Sequence, residues 1–271
     1  MFKTPGRYGG YEDHEFIAEI YDVIYENRNR RDIGFFLDYS LRTEGETLEL
    51  GCGTGRVLIP TAVAGCKITG IDLSAHMLGK CRQKLSEQPA EVRERARLIQ
   101  GNMTGFQIEN VFTLATLPFR PFQHLITIEE QKACLSCVNK HLIQGGLLVL
   151  DLFHCYPPAM YDPKYWAEQE VQSDLKITGG GSLRYTHRIA DFHRDKQYND
   201  VEMIYYISQS DGETKRLVQA FPFRYFFRYE VEHLLELCGF RVISLFGDYD
   251  RSAFSNDSPE MIFVAEKKSS Q

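Results

Sequence analysis

Glu49-Leu50-Gly51-Cys52-Gly53-Thr54-Gly55-Arg56 places glycines at alternate positions behind an acidic residue. That spacing lets the main chain turn tightly and admits a ligand where any Cβ would collide. A helix starting behind the glycines offers unpaired N–H groups. Asp72 follows Gly55 by 17 residues, at the end of an apolar run. A carboxylate there is placed to accept hydrogen bonds from both hydroxyls of a ribose. Capping the next helix is the plainer role for Asp72, but Ser74 is equally well placed for that job. His124, in Leu117-Pro118-Phe119-Arg120-Pro121-Phe122-Gln123-His124-Leu125, is the available general base. Its ordinary pKa near 6.5 suits proton transfer around neutrality. A histidine among Phe and Leu also serves as a satisfied core residue, so both roles stay open.

These residues need strands and helices to position them. Thr47–Leu50, Lys67–Ile71, Ala96–Ile99, Phe112–Leu117 and Leu147–Leu152 read as buried strands. Helical spacing covers Arg56–Ala64, Ala75–Leu85, 128–141 and 229–238. Strand alternating with helix implies right-handed βαβ units and a parallel sheet. Gly145-Gly146 reads as a turn from helix to strand. The period then switches to two, as in Leu183-Arg-Tyr-Thr-His-Arg-Ile189 and Val201-Glu-Met-Ile-Tyr-Tyr-Ile207, with turn signals at Tyr198-Asn-Asp200 and Asp211-Gly212. This predicts an antiparallel, three-stranded insertion. Arg241–Leu245 and Met261–Ala265 supply the last two strands. The expected organisation is a helical lead over 1–45, a ligand-binding core over 46–152, an antiparallel β lid over 153–227, and a closing helix and strands over 228–271.

Composition narrows the class. Lys and Arg number 31 against 37 Asp and Glu in 271 residues, a net charge of −6, with 43% hydrophobic and 25% charged residues. This is the balance of a soluble globular domain, and the acidic excess argues against non-specific nucleic-acid binding. No apolar run approaches a membrane span, and the polar start MFKTPGRYGGYEDHEF resembles no secretory signal. The seven cysteines sit in apolar contexts and read as reduced thiols of a cytoplasmic protein. Cys134-Leu-Ser-Cys137 lacks a second pair, so no metal is expected.

The glycine spacing discriminates between cofactors. A dinucleotide fingerprint would require glycine at position 56, where this chain has Arg. The loop instead resembles motif I of the class I S-adenosylmethionine (SAM)-dependent methyltransferases. Gly70-Ile71-Asp72-Leu73-Ser74 resembles the second-strand motif of that family, Gly101-Asn102-Met103 its adenine-contact motif, and Gln144-Gly145-Gly146-Leu147 its P-G-G turn. The matches run in order over about 45–152. The resemblance implies an α/β, Rossmann-like, seven-stranded, mostly parallel sheet with helices on both faces, plus the inserted antiparallel β subdomain. It implies SAM as cofactor, held by Glu49, Gly51, Gly53, Gly55, Asp72, Leu73, Met77, Asn102, Met103 and Leu117. The basic cluster containing Arg31 would neutralise the methionine carboxylate, or form a solvated helix face. The fourth strand begins Phe112-Thr113 where the family usually has Phe-Asp.

Tyr21-Asp22-Val23-Ile24-Tyr25 resembles the lead of small-molecule N-methyltransferases, including the N,N-dimethyltransferases of nucleotide-linked amino sugars. In those enzymes a Tyr of the lead and a His after the fourth strand approach the acceptor amine; the matching positions are Tyr21 and His124. The segment carries no Asn-Pro-Pro-Tyr/Phe signature, so the acceptor is expected to be a small molecule, with an amine favoured. Other acceptor-side candidates are His154, Tyr161, Trp166 and Arg224. An O-methyltransferase using His124 as base, a non-catalytic SAM-binding module, and an NAD-dependent oxidoreductase disfavoured by Arg56 are the rivals. A homodimer through the inserted sheet is a further expectation.

Overall fold

A computed structural model describes residues 7–11, 15–26, 31–155, 162–177, 181–209 and 212–269. The chain begins with α1 (Glu15–Glu26), α2 (Arg31–Arg42), β1 (Thr47–Leu50), α3 (Leu58–Val63), β2 (Ile68–Asp72) and α4 (Ala75–Ser86). It continues with α5 (Ala90–Arg95), β3 (Ala96–Gln100), β4 (Phe112–Leu117), α6 (Ile128–His141) and β5 (Leu142–Phe153). Then come β6 (Gln169–Ile177), β7 (Gly181–His193), β8 (Tyr198–Ser208), β9 (Thr214–Arg224), α7 (Arg228–Leu237), β10 (Phe240–Phe246) and β11 (Glu260–Lys267). Two compact units result, one from Met1–Asn29 with Cys155–Tyr225, the other from Arg30–His154 with Phe226–Gln271. The lead is therefore divided, with α1 in the first unit and α2 in the second. Among the described residues no helix is long and apolar enough to cross a membrane.

The larger unit is a seven-stranded sheet in the order β10-β11-β5-β4-β1-β2-β3. β1 pairs parallel with both β2 and β4, whereas β11 runs antiparallel to β5 and β10. β1 is buried along its length and β4 nearly so, as expected for central parallel strands covered on both faces. Strand order reverses between β1 and β4, and the crevice for a ligand lies beyond their carboxyl ends. Ser74 caps α4 by accepting from Met77 N at 3.3 Å, and Thr127 and Glu130 cap α6 reciprocally.

The smaller unit is an antiparallel sheet in the order β6-β7-β8-β9. Its core stacks Tyr185 on Tyr205 at 5.5 Å, with Phe16 of α1 edge-on to Tyr205 at 5.8 Å. Four strands replace the three expected. β6 escapes sequence reading because it is an edge strand whose register against β7 slips twice, with Asp174 left-handed at φ +59° between its apolar residues Val171 and Leu175. The turn expected at Tyr198–Asp200 lies at 194–197 instead, and 198–200 begin β8. Two further boundaries differ. The helix expected from Arg56 starts at Leu58, and β5 begins before the glycine pair, passing through Gly145 at φ +73° as pairing with β4 shifts.

Candidate functional site

The β1–α3 loop owes its shape to its glycines. Gly51, Gly53 and Gly55 have φ of +70°, +55° and +81°. A Cβ on Gly51 would lie 2.8 Å from Pro121 Cβ, and one on Gly55 would lie 2.5 Å from Cys81 Sγ. Gly51 N–H and Cys52 N–H both donate to Ile71 O, at 2.8 and 3.1 Å. Asp72 completes the tie, its Oδ2 accepting from Gly53 N at 2.8 Å and its Oδ1 from Ser74 N at 2.8 Å. The carboxylate thus organises the loop. Ser74 does the capping, so Asp72 is not needed as the cap.

Glu49 sits under this loop, 1% exposed, with Oε2 in no hydrogen bond. Burial pushes its carboxyl up to about 8, opposed by Arg56 and reinforced by Asp72. An unpartnered buried carboxyl oxygen is costly unless a donor arrives. Arg56 is engaged elsewhere. Its guanidinium pairs with Asp32 of α2 and lies 4.6 Å over the Phe119 ring. Arg31, expected at a methionine carboxylate, is exposed and donates to Asp248 at 2.6 Å. That pairing turns it to the surface, and Arg56 is the buried cation of this region, a role its use as a mere glycine replacement did not reveal. Arg28 and Arg30 of the basic cluster lie outside the described residues.

The carboxyl ends of β2 and β3 bring the remaining expected residues together. Met77 is buried in the first turn of α4, its Cε 3.4 Å from where a Cβ on Gly53 would lie. Leu73, Asn102 and Met103 are half-buried. Asn102 Oδ1 accepts from Thr104 N and Thr104 Oγ1, both at 2.9 Å, so the carbonyl oxygen is committed within its own turn. Leu117 closes β4 fully buried.

Beyond Leu117 the chain turns through Phe119 and Arg120, both left-handed, into a 3-10 turn, Pro121–His124. His124 is half-buried, and burial pushes its imidazole down to about 4. The ordinary value near 6.5 expected from sequence does not hold; the ring is neutral at pH 7 and a weak base. Tyr21 belongs to the other unit, where its ring packs against Tyr11 at 6.2 Å and Tyr25 at 4.6 Å. Thr113 lies at the amino end of β4, bonded to Glu46 O, so its replacement of aspartate falls at the opposite end of the strand from Leu117. Among the remaining candidates, His154 Nδ1 bonds Ser258 O at 2.8 Å, Arg224 donates to Lys196 O at 2.9 Å, and Trp166 packs on Phe192 at 6.0 Å. Tyr161 lies outside the described residues.

Cys134 is buried, its thiol pushed up by burial, and Cys137 donates to Phe106 O at 3.2 Å. Both are core thiols. Asp151, at the end of β5, is the residue that sequence reading missed. It is fully buried and accepts from Phe119 N at 3.1 Å, Arg120 N at 2.9 Å and the Tyr249 hydroxyl. A carboxylate ending an apolar strand, as at Asp72, was the available signal.

Residues 47–146 match the family model described as a methyltransferase domain. YqeM of Bacillus subtilis (strain 168) is 24% identical over 259 residues, covering 94% of this chain and 97% of that protein. The dTDP-3-amino-3,6-dideoxy-α-D-glucopyranose N,N-dimethyltransferase of Streptomyces fradiae is 23% identical, covering 83% of this chain and 84% of that one. Among solved structures, SAM-bound CalS10, an amino pentose methyltransferase from Micromonospora echinaspora, superposes with a TM-score of 0.70 at 20% identity, covering 92% of this chain and 97% of that one. The match of residues 47–146 to a methyltransferase domain, with methyltransferase relatives along most of the chain and the glycine loop at the switch point of the sheet, supports a SAM-dependent methyltransferase.

Proposed function

We propose that the chain methylates an amine of a small molecule, with an amino sugar carried on a nucleotide as the acceptor class. The observation that carries this reading is the meeting of two turns at the switch point. The glycine loop abuts the β4 exit at Gly51 and Pro121, and the same exit turn ends in His124. The residues present fit SAM. Gly53 needs both its positive φ and an open side, Asp72 sets a carboxylate at the end of β2 where ribose hydroxyls would lie, and Asn102 offers an amide donor to the adenine edge, with Leu73, Met77 and Met103 as apolar walls. Glu49 has one unsatisfied buried oxygen, matched to the α-amino group. When bound, SAM supplies a methyl group already activated on a sulfonium.

The protein's task is then alignment, which contributes up to about 7–11 kcal/mol to such reactions. A neutral amine needs its lone pair held on one axis and a route for a proton to leave. A hydroxyl needs a base matched to neutral pH. His124, held near 4 by burial, suits the first task and not the second. The relatives named above, two of them amino-sugar methyltransferases by name, point the same way.

The test is calorimetric titration with SAM and with NAD, followed by a methyl-transfer assay on amines, phenols and carboxylates. Binding of SAM alone and turnover of an amine are expected. His124→Ala should then lower kcat by about 10-fold and raise KM, short of the 10²–10⁴ typical of a general base. Tyr21→Phe should give a smaller loss of the same kind. A loss of 10³ in kcat at His124 with a phenol as acceptor would replace the amine reading by an O-methyltransferase, and SAM binding without any turnover would make the chain a binding module.

A further inference from the structure

The turn leaving β4 is bent against the preference of its own residues. Phe119 and Arg120 have φ of +66° and +67° in succession. Side chains other than glycine hold that backbone only where the surroundings impose it. The surroundings here are specific. Asp151 of β5 accepts from both of their main-chain N–H groups, at 3.1 and 2.9 Å, and from the Tyr249 hydroxyl. The Arg120 guanidinium pairs with Glu260 of β11 and stacks 3.6 Å over the Phe153 ring. Further along the turn, Gln123 Oε1 accepts from Phe153 N at 2.8 Å.

Stability alone explains this arrangement poorly. Arg120 Nε and Glu260 Oε2 are both buried without a hydrogen-bond partner, so the ion pair is under-satisfied. Buried pairs of this kind return little net stability, and a pair with orphaned atoms returns less. What the arrangement does fix is geometry. It places Pro121 against Gly51 and carries His124 at the end of the 3-10 turn, four residues beyond the anchored Arg120 N–H.

We propose that Asp151, Tyr249, Arg120 and Glu260 are positioning residues for methyl transfer, forming a latch that holds residues 119–124 in register with the glycine loop. The proposal rests on His124 being an acceptor contact. It predicts a specific division of labour. The latch sets the rate of transfer through the placement of His124, and cofactor affinity resides in the residues at the ends of β1, β2 and β3. A displacement of about 1 Å in an aligning group is enough to cost on the order of 10²-fold in rate.

The experiment uses the full chain with Asp151→Asn and Tyr249→Phe, read by amide hydrogen exchange and by steady-state kinetics. Asp151→Asn should speed exchange at Phe119 and Arg120 by at least about 10-fold while the amides of β1 and β2 keep their protection. Its kcat should fall by about 10–100-fold, acceptor KM should change less than kcat, and SAM affinity should stay within about 3-fold. Tyr249→Phe removes one hydroxyl from the core and should reproduce the pattern at smaller size. If Asp151→Asn fails to fold, Tyr249→Phe decides alone. Unchanged exchange at 119 and 120 overturns the latch, and a loosened turn with wild-type kcat overturns its part in transfer. Failure of the methyltransferase reading looks different: the wild-type chain would show no transfer while the exchange pattern still reported the latch.

Discussion

Two neighbouring turns leave the carboxyl ends of adjacent parallel strands, and both use left-handed backbone. The loop after β1 does so at Gly51, Gly53 and Gly55; the turn after β4 does so at Phe119 and Arg120. In the first, the conformation is native to the residues, because glycine pays no Cβ penalty there. In the second, the residues oppose the conformation, and Asp151, Tyr249 and Glu260 impose it from three other places in the chain. The glycine loop is therefore vulnerable first at its own positions, with Asp72 of the next strand tying it through Gly53 N–H. The exit turn is the reverse: its own side chains matter less than the carboxylate 31 residues away that holds Arg120 N–H.

The largest effect that separates the two is expected at Gly51. Gly51→Ala places a methyl 2.8 Å from Pro121 Cβ at a φ of +70°. It should lower stability by about 2–4 kcal/mol in urea unfolding, combining backbone strain with overpacking. Gly79→Ala is the matched control. Gly79 lies within α4 with nothing within 4 Å of an added Cβ, so the same change should stabilise by about 0.5–1 kcal/mol. Equal effects at the two sites would mean that the glycine loop is not the rigid partner in the comparison.

Asp72→Ala should come next, weakening SAM by about 1.5–3 kcal/mol in calorimetry. Because Asp72 also holds Gly53 N–H and Ser74 N–H, part of that loss comes from a looser loop. Asp72→Asn keeps an acceptor for one of those donors and should lose less than the alanine variant. Unchanged affinity with the fold intact would remove Asp72 from the site.

The smallest effect is a proton count. Glu49 in the free protein titrates at about 8, so it is protonated at pH 6.5. A ligand ammonium beside it favours the carboxylate and lowers that value. Between the two values the bound form holds fewer protons than the free form, so affinity should rise with pH up to about 7.7, where an α-amino group begins to lose its own proton. Calorimetry at pH 6.5 in two buffers of different ionisation heat should show close to one proton released on binding SAM. Glu49→Gln should abolish both the release and the pH dependence. No release from the wild-type protein would place the ammonium elsewhere.

Much of the site was readable because its determinants are local. Alternating glycines, an acidic residue before them and a carboxylate ending the next strand are features of short stretches, and they specified the loop, its strand and its ligand class. The runs that became β1, β2 and β4 were legible for the same reason, since central parallel strands are buried on both faces. The edge strand β6 was not, because two slips of register and a left-handed Asp174 interrupt the alternation of Val171, Leu175 and Ile177.

The sequence by itself determined the βαβ order and the glycine cradle, both encoded within a few residues of where they act. Only the tertiary structure decided which cation and which carboxylate matter. Arg31 is turned out to Asp248, Arg56 is drawn in by Asp32, and Asp151 is set under a turn that neither of its neighbours in sequence reveals. It also decided the proton state of His124, since burial, which no local pattern reports, pushes its imidazole down to about 4. A left-handed Phe119-Arg120 pair is unreadable for the same reason: its stability lies in partners up to 140 residues away, which hold its main-chain N–H groups and the Arg120 guanidinium.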